Sequence, residues 1–160
     1  MLFRSRTGFG AVDPALVREA VGAVGGRRPV SAVVGQPEMK PEDLLRRATE
    51  IADAGATYIK VGLYPHPMRR DSIDTLSSLA ARCRLIGVMF ADHGADESLI
   101  EVMAQNRFRG VMMDTFKKSN GRLFDHLDIA AIGRFVEAVH SNELMAGLAG
   151  SLEAPDIPRL

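Results

Sequence analysis

Five short apolar runs, each separated from the next by a stretch of helical periodicity, recur at intervals of roughly 25 to 33 residues, and this alternation constrains the fold more than any other feature. The runs cover residues 29–35, 58–63, 85–90, 110–114 and 144–149. They are nearly continuous in apolar character rather than alternating, which is the pattern of strands buried on both faces in a parallel sheet. Between them lie helix signals. Asp13-Pro14 offers an N-cap acceptor followed by proline in the first turn, Leu16, Val17, Ala20 and Val21 form an apolar stripe, and Gly25-Gly26 ends it. Further helices are predicted over 41–54, stopped by Gly55, and over 71–81, 96–105 and 128–140. Residues 155–160 read as the start of another.

Both an open doubly wound sheet and a (βα)8 barrel satisfy this order. Two details favour the barrel. Polar or small residues stand at the C-terminal end of nearly every run: Gly35-Gln36, Lys60, Asp92, Asp114 and Gly150-Ser151. In an open sheet they would concentrate at one topological switch point. No strand is followed by a G-x-G-x-x-G turn either. A whole barrel usually needs about 250 residues, with a floor near 200, and this chain has 160. The expected fold is therefore α/β: a partial TIM (βα)8 barrel of about five parallel strands. It forms one incomplete domain over residues 1–160, lacking early strands and the last. Open sheet edges invite self-association, so a homo-oligomer is expected.

Charge and cysteine usage remove several function classes. Twenty basic and twenty acidic side chains cancel, which gives no reason to expect a nucleic-acid or membrane partner. No apolar run is long enough to span a bilayer, and Met1-Leu2-Phe3-Arg4-Ser5-Arg6 lacks the features of a signal peptide. Cys83 is the single cysteine, which suits a cytoplasmic location. Between Arg82 and Arg84 and with no base beside it, it reads as an ordinary helix-to-strand residue. His66, His93, His126 and His140 are scattered with no i, i+4 pair, so no metal site is expected.

Chemistry points first to Lys60. Side chains alternate along Tyr58-Ile59-Lys60-Val61-Gly62-Leu63, so Tyr58, Lys60 and Gly62 share one side and Ile59, Val61 and Leu63 the other. A lysine facing the inside of a barrel loses hydration, which disfavours the ammonium form and makes a nucleophile or general base. The competing reading is a strand-end lysine whose stem carries its charge back to water. The same period-two counting puts Asp92 and Asp114 on inner positions, where carboxylates can hold a lysine and relay protons, or alternatively cap helices. Lys118, four residues past Asp114, can fold back toward an anionic substrate or remain solvated. Gly150 and Ser151, in a small-residue turn at a strand end, are candidates for a substrate phosphate. Arg69 and Arg70 sit in a loop and read as solvated.

The motif order Val30-Ser31-Ala32, Tyr58-Ile59-Lys60-Val61-Gly62-Leu63-Tyr64, Phe90-Ala91-Asp92, Met113-Asp114-Thr115, Leu123-Phe124-Asp125 and Gly147-Leu148-Ala149-Gly150-Ser151-Leu152 resembles the (5-formylfuran-3-yl)methyl phosphate synthase family, also called 4-HFC-P synthase. The resemblance implies a TIM barrel that works like a class I aldolase. Such an enzyme joins two glyceraldehyde 3-phosphate molecules, with loss of water and phosphate, into a phosphorylated furan aldehyde for methanofuran synthesis or related one-carbon metabolism. It also implies no metal or organic cofactor. Lys60 matches the family lysine assigned to proton transfer, and Asp114 and Lys118 match its functional Asp and Lys. Departures are specific. Aligning back from Phe9-Gly10-Ala11 puts Leu2 where the family carries its Schiff-base lysine, so the strand bearing that amine is expected to be absent. Gln36 replaces an Asp, and Phe116 an Ala. A catalytically inactive remnant that at most binds sugar phosphates is the alternative.

Overall fold

Asp13 caps the first helix as the sequence predicts, its Oδ1 accepting from the Ala15 amide at 2.8 Å, with Pro14 opening the helix and Gly25 closing it in the left-handed conformation at φ 56°. This helix begins a regular succession in the computed structural model, which describes residues 2–3, 12–35 and 39–160. Phe9-Gly10-Ala11 and Gln36 lie outside the described residues, as do the side chains of Leu2 and Lys118.

The strands are β1 (Leu2–Phe3), β2 (Ser31–Val34), β3 (Tyr58–Gly62), β4 (Arg84–Phe90), β5 (Gly110–Asp114) and β6 (Met145–Leu148). Between them run α1 (Pro14–Val24), α2 (Pro41–Asp53), α3 (Arg69–Leu76), α4 (Ser98–Gln105), α5 (Leu123–His126) and α6 (Ile129–Ser141). All pairings are parallel and the sheet order is β1-β2-β3-β4-β5-β6. A doubly wound sheet reverses its strand order at a switch point. This sheet never does, so it forms the arc of a partial (βα)8 barrel.

Three expectations need correction. Leu2–Phe3 pairs in parallel with Ser31–Ala32, so an early strand exists at the place where one was expected to be missing; it joins the five strands that the apolar runs predict. The stretch after Asp114 holds the four-residue helix α5, too short to leave a periodic signal. The segment expected to start a helix at residue 155 is a 3-10 turn, Ala154–Arg159, in which Pro158 cannot supply an amide hydrogen.

Alternation sorts the strand residues into two layers. Ala32, Ile59, Leu85 and Val111 are each 0% exposed and pack against the helices, meeting Ala48 and Ile51 of α2, Ile73 and Leu76 of α3, and Phe135 and Val139 of α6. This is the main core. Full burial of each large side chain contributes about 1.5–3 kcal/mol. Gly87 belongs to this outer layer, and a Cβ there would run into the Met103 sulfur of α4. The bare Cα is what lets that helix approach the sheet. On the opposite side a smaller cluster gathers Val33, Tyr64, Val88 and Phe90, with Met112 and Phe116 packed against it. That side is the concave interior of the arc.

Candidate active site

Lys60 is the central residue of β3 and is half-buried on the concave side, in the alternating pattern that buries Ile59 and Val61 against the helices. Its register neighbours are Val33 on β2 and Ile86 on β4. An open cavity of about 230 Å³ lies against it, lined by Ser31, Tyr58, Lys60, Ile86, Met112, Met145, Ala146 and Gly147. Apart from the lysine, the serine and the tyrosine, that lining is apolar. The lysine therefore stands in a largely hydrocarbon wall rather than at a strand end.

Register sets the heights of the other candidates. Lys60 pairs with Ile86 and Ile86 with Gly110, which places Lys60 level with the start of β5. Asp114 ends that strand, four residues on, or about 13 Å at the usual rise per residue. Lys60 and Asp114 thus share one interior at two levels, a wall position and a rim position. Asp114 is only 2% exposed, and its Oδ1 accepts from the Thr115 amide at 2.7 Å.

Asp92 sits on the same rim but faces the backbone. It lies in the 3-10 turn Ala91–His93, where its Oδ1 accepts from the Phe116 amide at 2.8 Å and its Oδ2 from the Lys117 amide at 3.0 Å. Burial pushes the Asp92 carboxyl up, but these amides, its own amide and nearby His93 outweigh it and hold the group below the ordinary carboxylate value. Asp92 is a tether between the loops that follow β4 and β5. Phe116, fixed by that tether, stands edge-on to Tyr64 with centroids 5.1 Å apart and to His93 at 5.2 Å, while Tyr64 stacks on Phe90 at 4.6 Å. The Tyr64 ring also lies across Gly62, where a Cβ would come within 2.7 Å of its Cε2. An aromatic pile therefore covers the position directly above Lys60 on β3. Only Tyr64 and Phe90 could have been placed there from alternation; Phe116 arrives by a loop.

The small-residue turn after β6 lies beside Asp114. A Cβ on Gly150 would stand 3.1 Å from Thr115 Cγ2 and 3.2 Å from the Thr115 nitrogen, so backbone meets backbone at the rim. Gly150 has φ 103° and Ser151 φ 56°, the second a left-handed conformation on a residue that has a Cβ. The Gly150 carbonyl accepts from the Leu123 amide at 3.0 Å, and the Ser151 carbonyl from Arg122 Nε at 3.0 Å. In the sequence Arg122 follows the polar run Lys117-Lys118-Ser119-Asn120-Gly121, with nothing local to single it out. It also pairs with Asp156, which is 4% exposed, and reaches Glu153 at 3.6 Å. Lys118 opens the 3-10 turn Lys118–Asn120 on the same loop.

The remaining polar loop is spoken for. Arg69 pairs with Asp96 at 2.5 Å and Arg70 donates to Ser98 Oγ at 3.3 Å. Among the described residues, no three His, Cys, Asp or Glu side chains are grouped as a metal site would need. Burial raises the Cys83 thiol above its ordinary value, against a smaller opposing effect of Arg82, and the group is not an activated nucleophile.

Known proteins match this chain in two ways. By sequence, it is 34% identical to the (5-formylfuran-3-yl)methyl phosphate synthase of Methanopyrus kandleri over 94% of the chain and 68% of that protein. It is 31% identical to the synthase of the same name from Methanococcus maripaludis strain C5 over 95% of the chain and 70% of that protein. Across eight of the curated relatives it matches, the chain spans between 64% and 70% of their length. By structure, it resembles the tetrameric deoxyribose phosphate aldolase of Aeropyrum pernix, with a TM-score of 0.63 at 16% identity over 86% of this chain and 62% of that one. That likeness concerns the barrel fold alone. The 4-HFC-P synthase family model covers residues 5–160, and with relatives above 30% identity along nearly the whole length, the chain belongs to the 4-HFC-P synthase family.

Proposed function

We propose that this chain carries the proton-transfer lysine and the phosphate-binding rim of a (5-formylfuran-3-yl)methyl phosphate synthase. In this reading it is a carbon–oxygen lyase that condenses two glyceraldehyde 3-phosphate molecules by aldolase-like chemistry. The observation carrying the reading is the placement of Lys60 in an apolar cavity of a family member's barrel wall. An amine there is suited to removing and returning a proton on the carbon beside an aldehyde. Asp114 is the carboxylate of the rim, one level above Lys60 and acting on substrate rather than on the lysine; Lys118 meets the substrate anion, and Gly150 and Ser151 receive a phosphate. Asp92 contributes through the loop it tethers rather than by touching substrate. The reaction is placed in the cytoplasm with a phosphorylated small molecule as the only partner besides a second copy of the chain. No helix among the described residues is long and apolar enough to cross a membrane. The self-association reading draws on β6 as a terminal strand of the described sheet; a monodisperse monomer in sedimentation would reject it.

A second reading, binding without turnover, is favoured by one observation. Leu2 holds the register position opposite Ser31 on β1, where the family resemblance places the amine that forms the iminium. Borohydride trapping with glyceraldehyde 3-phosphate, followed by peptide mapping and chromatography for the furan aldehyde, separates the two. An adduct on Lys60 or furan product supports the synthase. Neither, with retained binding of the triose phosphate, leaves a binding protein.

A further inference from the structure

Ser151 is held in a conformation that a residue with a Cβ rarely adopts, and such outliers persist only where the surroundings enforce them. The enforcing group is on another loop. Arg122 Nε donates to the Ser151 carbonyl at 3.0 Å while its Nη2 pairs with Asp156 and lies 3.6 Å from Glu153. Asp156 is itself fixed, since it is 4% exposed and its Oδ2 accepts from the Glu153 amide at 2.8 Å. The Arg122 backbone is fixed too, its amide donating to Asp125 Oδ2 at 2.7 Å. One planar guanidinium thus joins the loop after β5, the turn after β6 and the final 3-10 turn, a task that suits the rigid fork of arginine and not the single point charge of lysine. The next amide along, that of Leu123, holds the Gly150 carbonyl at 3.0 Å, so the two residues of the turn are gripped by two successive residues of one loop.

We infer that Arg122 is a positioning residue for anion binding: it locks the left-handed Gly150-Ser151 turn against Thr115, so that the turn is formed before a phosphate monoester arrives. The inference rests on the phosphate role proposed above for that turn. Positive φ at both Gly150 and Ser151 turns the chain tightly, and successive backbone amides in such a turn can point together into an anion-binding concavity. Arg122 does not contact the anion; its charge is already satisfied by Asp156. Preforming the turn removes the ordering cost from the binding step.

The test uses the full chain, with glycerol 3-phosphate and inorganic phosphate as probes in calorimetry and amide NMR. R122A is expected to weaken glycerol 3-phosphate binding about tenfold, with faster amide exchange confined to residues 149–152, and R122K is expected to recover only part of the loss. S151G removes the steric reason for the clamp, because glycine enters the left-handed region freely. The loss caused by R122A is therefore expected to shrink to threefold or less when S151G is also present. An equal loss with and without S151G would mean that Arg122 touches the anion, which overturns the positioning role. Unchanged binding and unchanged exchange in R122A would overturn it as well. If the unaltered chain bound neither probe, the phosphate reading of the turn would fall, whereas the exchange measurement would still decide whether Arg122 clamps it.

Discussion

The two faces of the sheet are built from the same strands, yet they obey different rules. On the convex face the central strands pack against helices, and Ala32, Ile59, Leu85 and Val111 have no exposure at all. On the concave face Ser31, Tyr58, Lys60 and Met112 are only half-buried, and a cavity of about 230 Å³ remains between them. One residue step along β3 moves from a fully buried isoleucine to a half-buried lysine. Stability is concentrated on one face, which leaves the other free to carry polar groups that a packed core would not tolerate.

The contrast can be broken from the convex side first. Phe135 of α6 is 1% exposed within the main core; F135A should cost about 3–5 kcal/mol, read as a loss of unfolding free energy in urea. A loss below about 1 kcal/mol would mean that the helical layer is not where the stability lies. At the rim the expected effect is smaller. D92N removes a carboxylate that takes two loop amides and should cost about 1 kcal/mol at neutral pH. Because the folded carboxyl lies below its ordinary value, its contribution is fully present above the unfolded value of about 3.9. It is lost as pH falls through the lower folded value. Melting curves of the two proteins should therefore converge on acidification from pH 5 to 2, and a constant gap would refute the tether. Smallest of all is K60M, which preserves volume and adds apolar contact in the cavity wall, with a stability change of about 1 kcal/mol or less. Any proton transfer to a triose phosphate, followed as solvent deuterium incorporation, should vanish in the same protein. A large destabilisation instead would place Lys60 among the residues that hold the fold.

Much of the fold could be read from the chain because its signals are local. Asp13 and Asp128 both cap helices, accepting from amides two and three residues on, and the strand cores fall where apolar runs predict them. Lys60 was legible for the same reason, since alternation along one strand decides its face. What escaped is what depends on distance along the chain. The partners of Asp92 are amides 24 and 25 residues away, and Arg122 meets Asp156 across 34 residues, so nothing in the local pattern announces them. The height difference between Lys60 and Asp114 escaped for a related reason. It depends on register between strands, which is fixed by pairing and not by the composition of either strand. The short strand Leu2–Phe3 left no periodic trace.

The order of the sheet has a consequence for how the molecule is made. Every described strand after the first lies beside the strand that precedes it in the chain. During synthesis each strand therefore emerges next to a waiting partner, and the helix already released covers their shared outer surface. Assembly can keep pace with translation, since each later described strand finds its partner already made, and only the growing edge and the outer edge of β1 stay unpaired meanwhile.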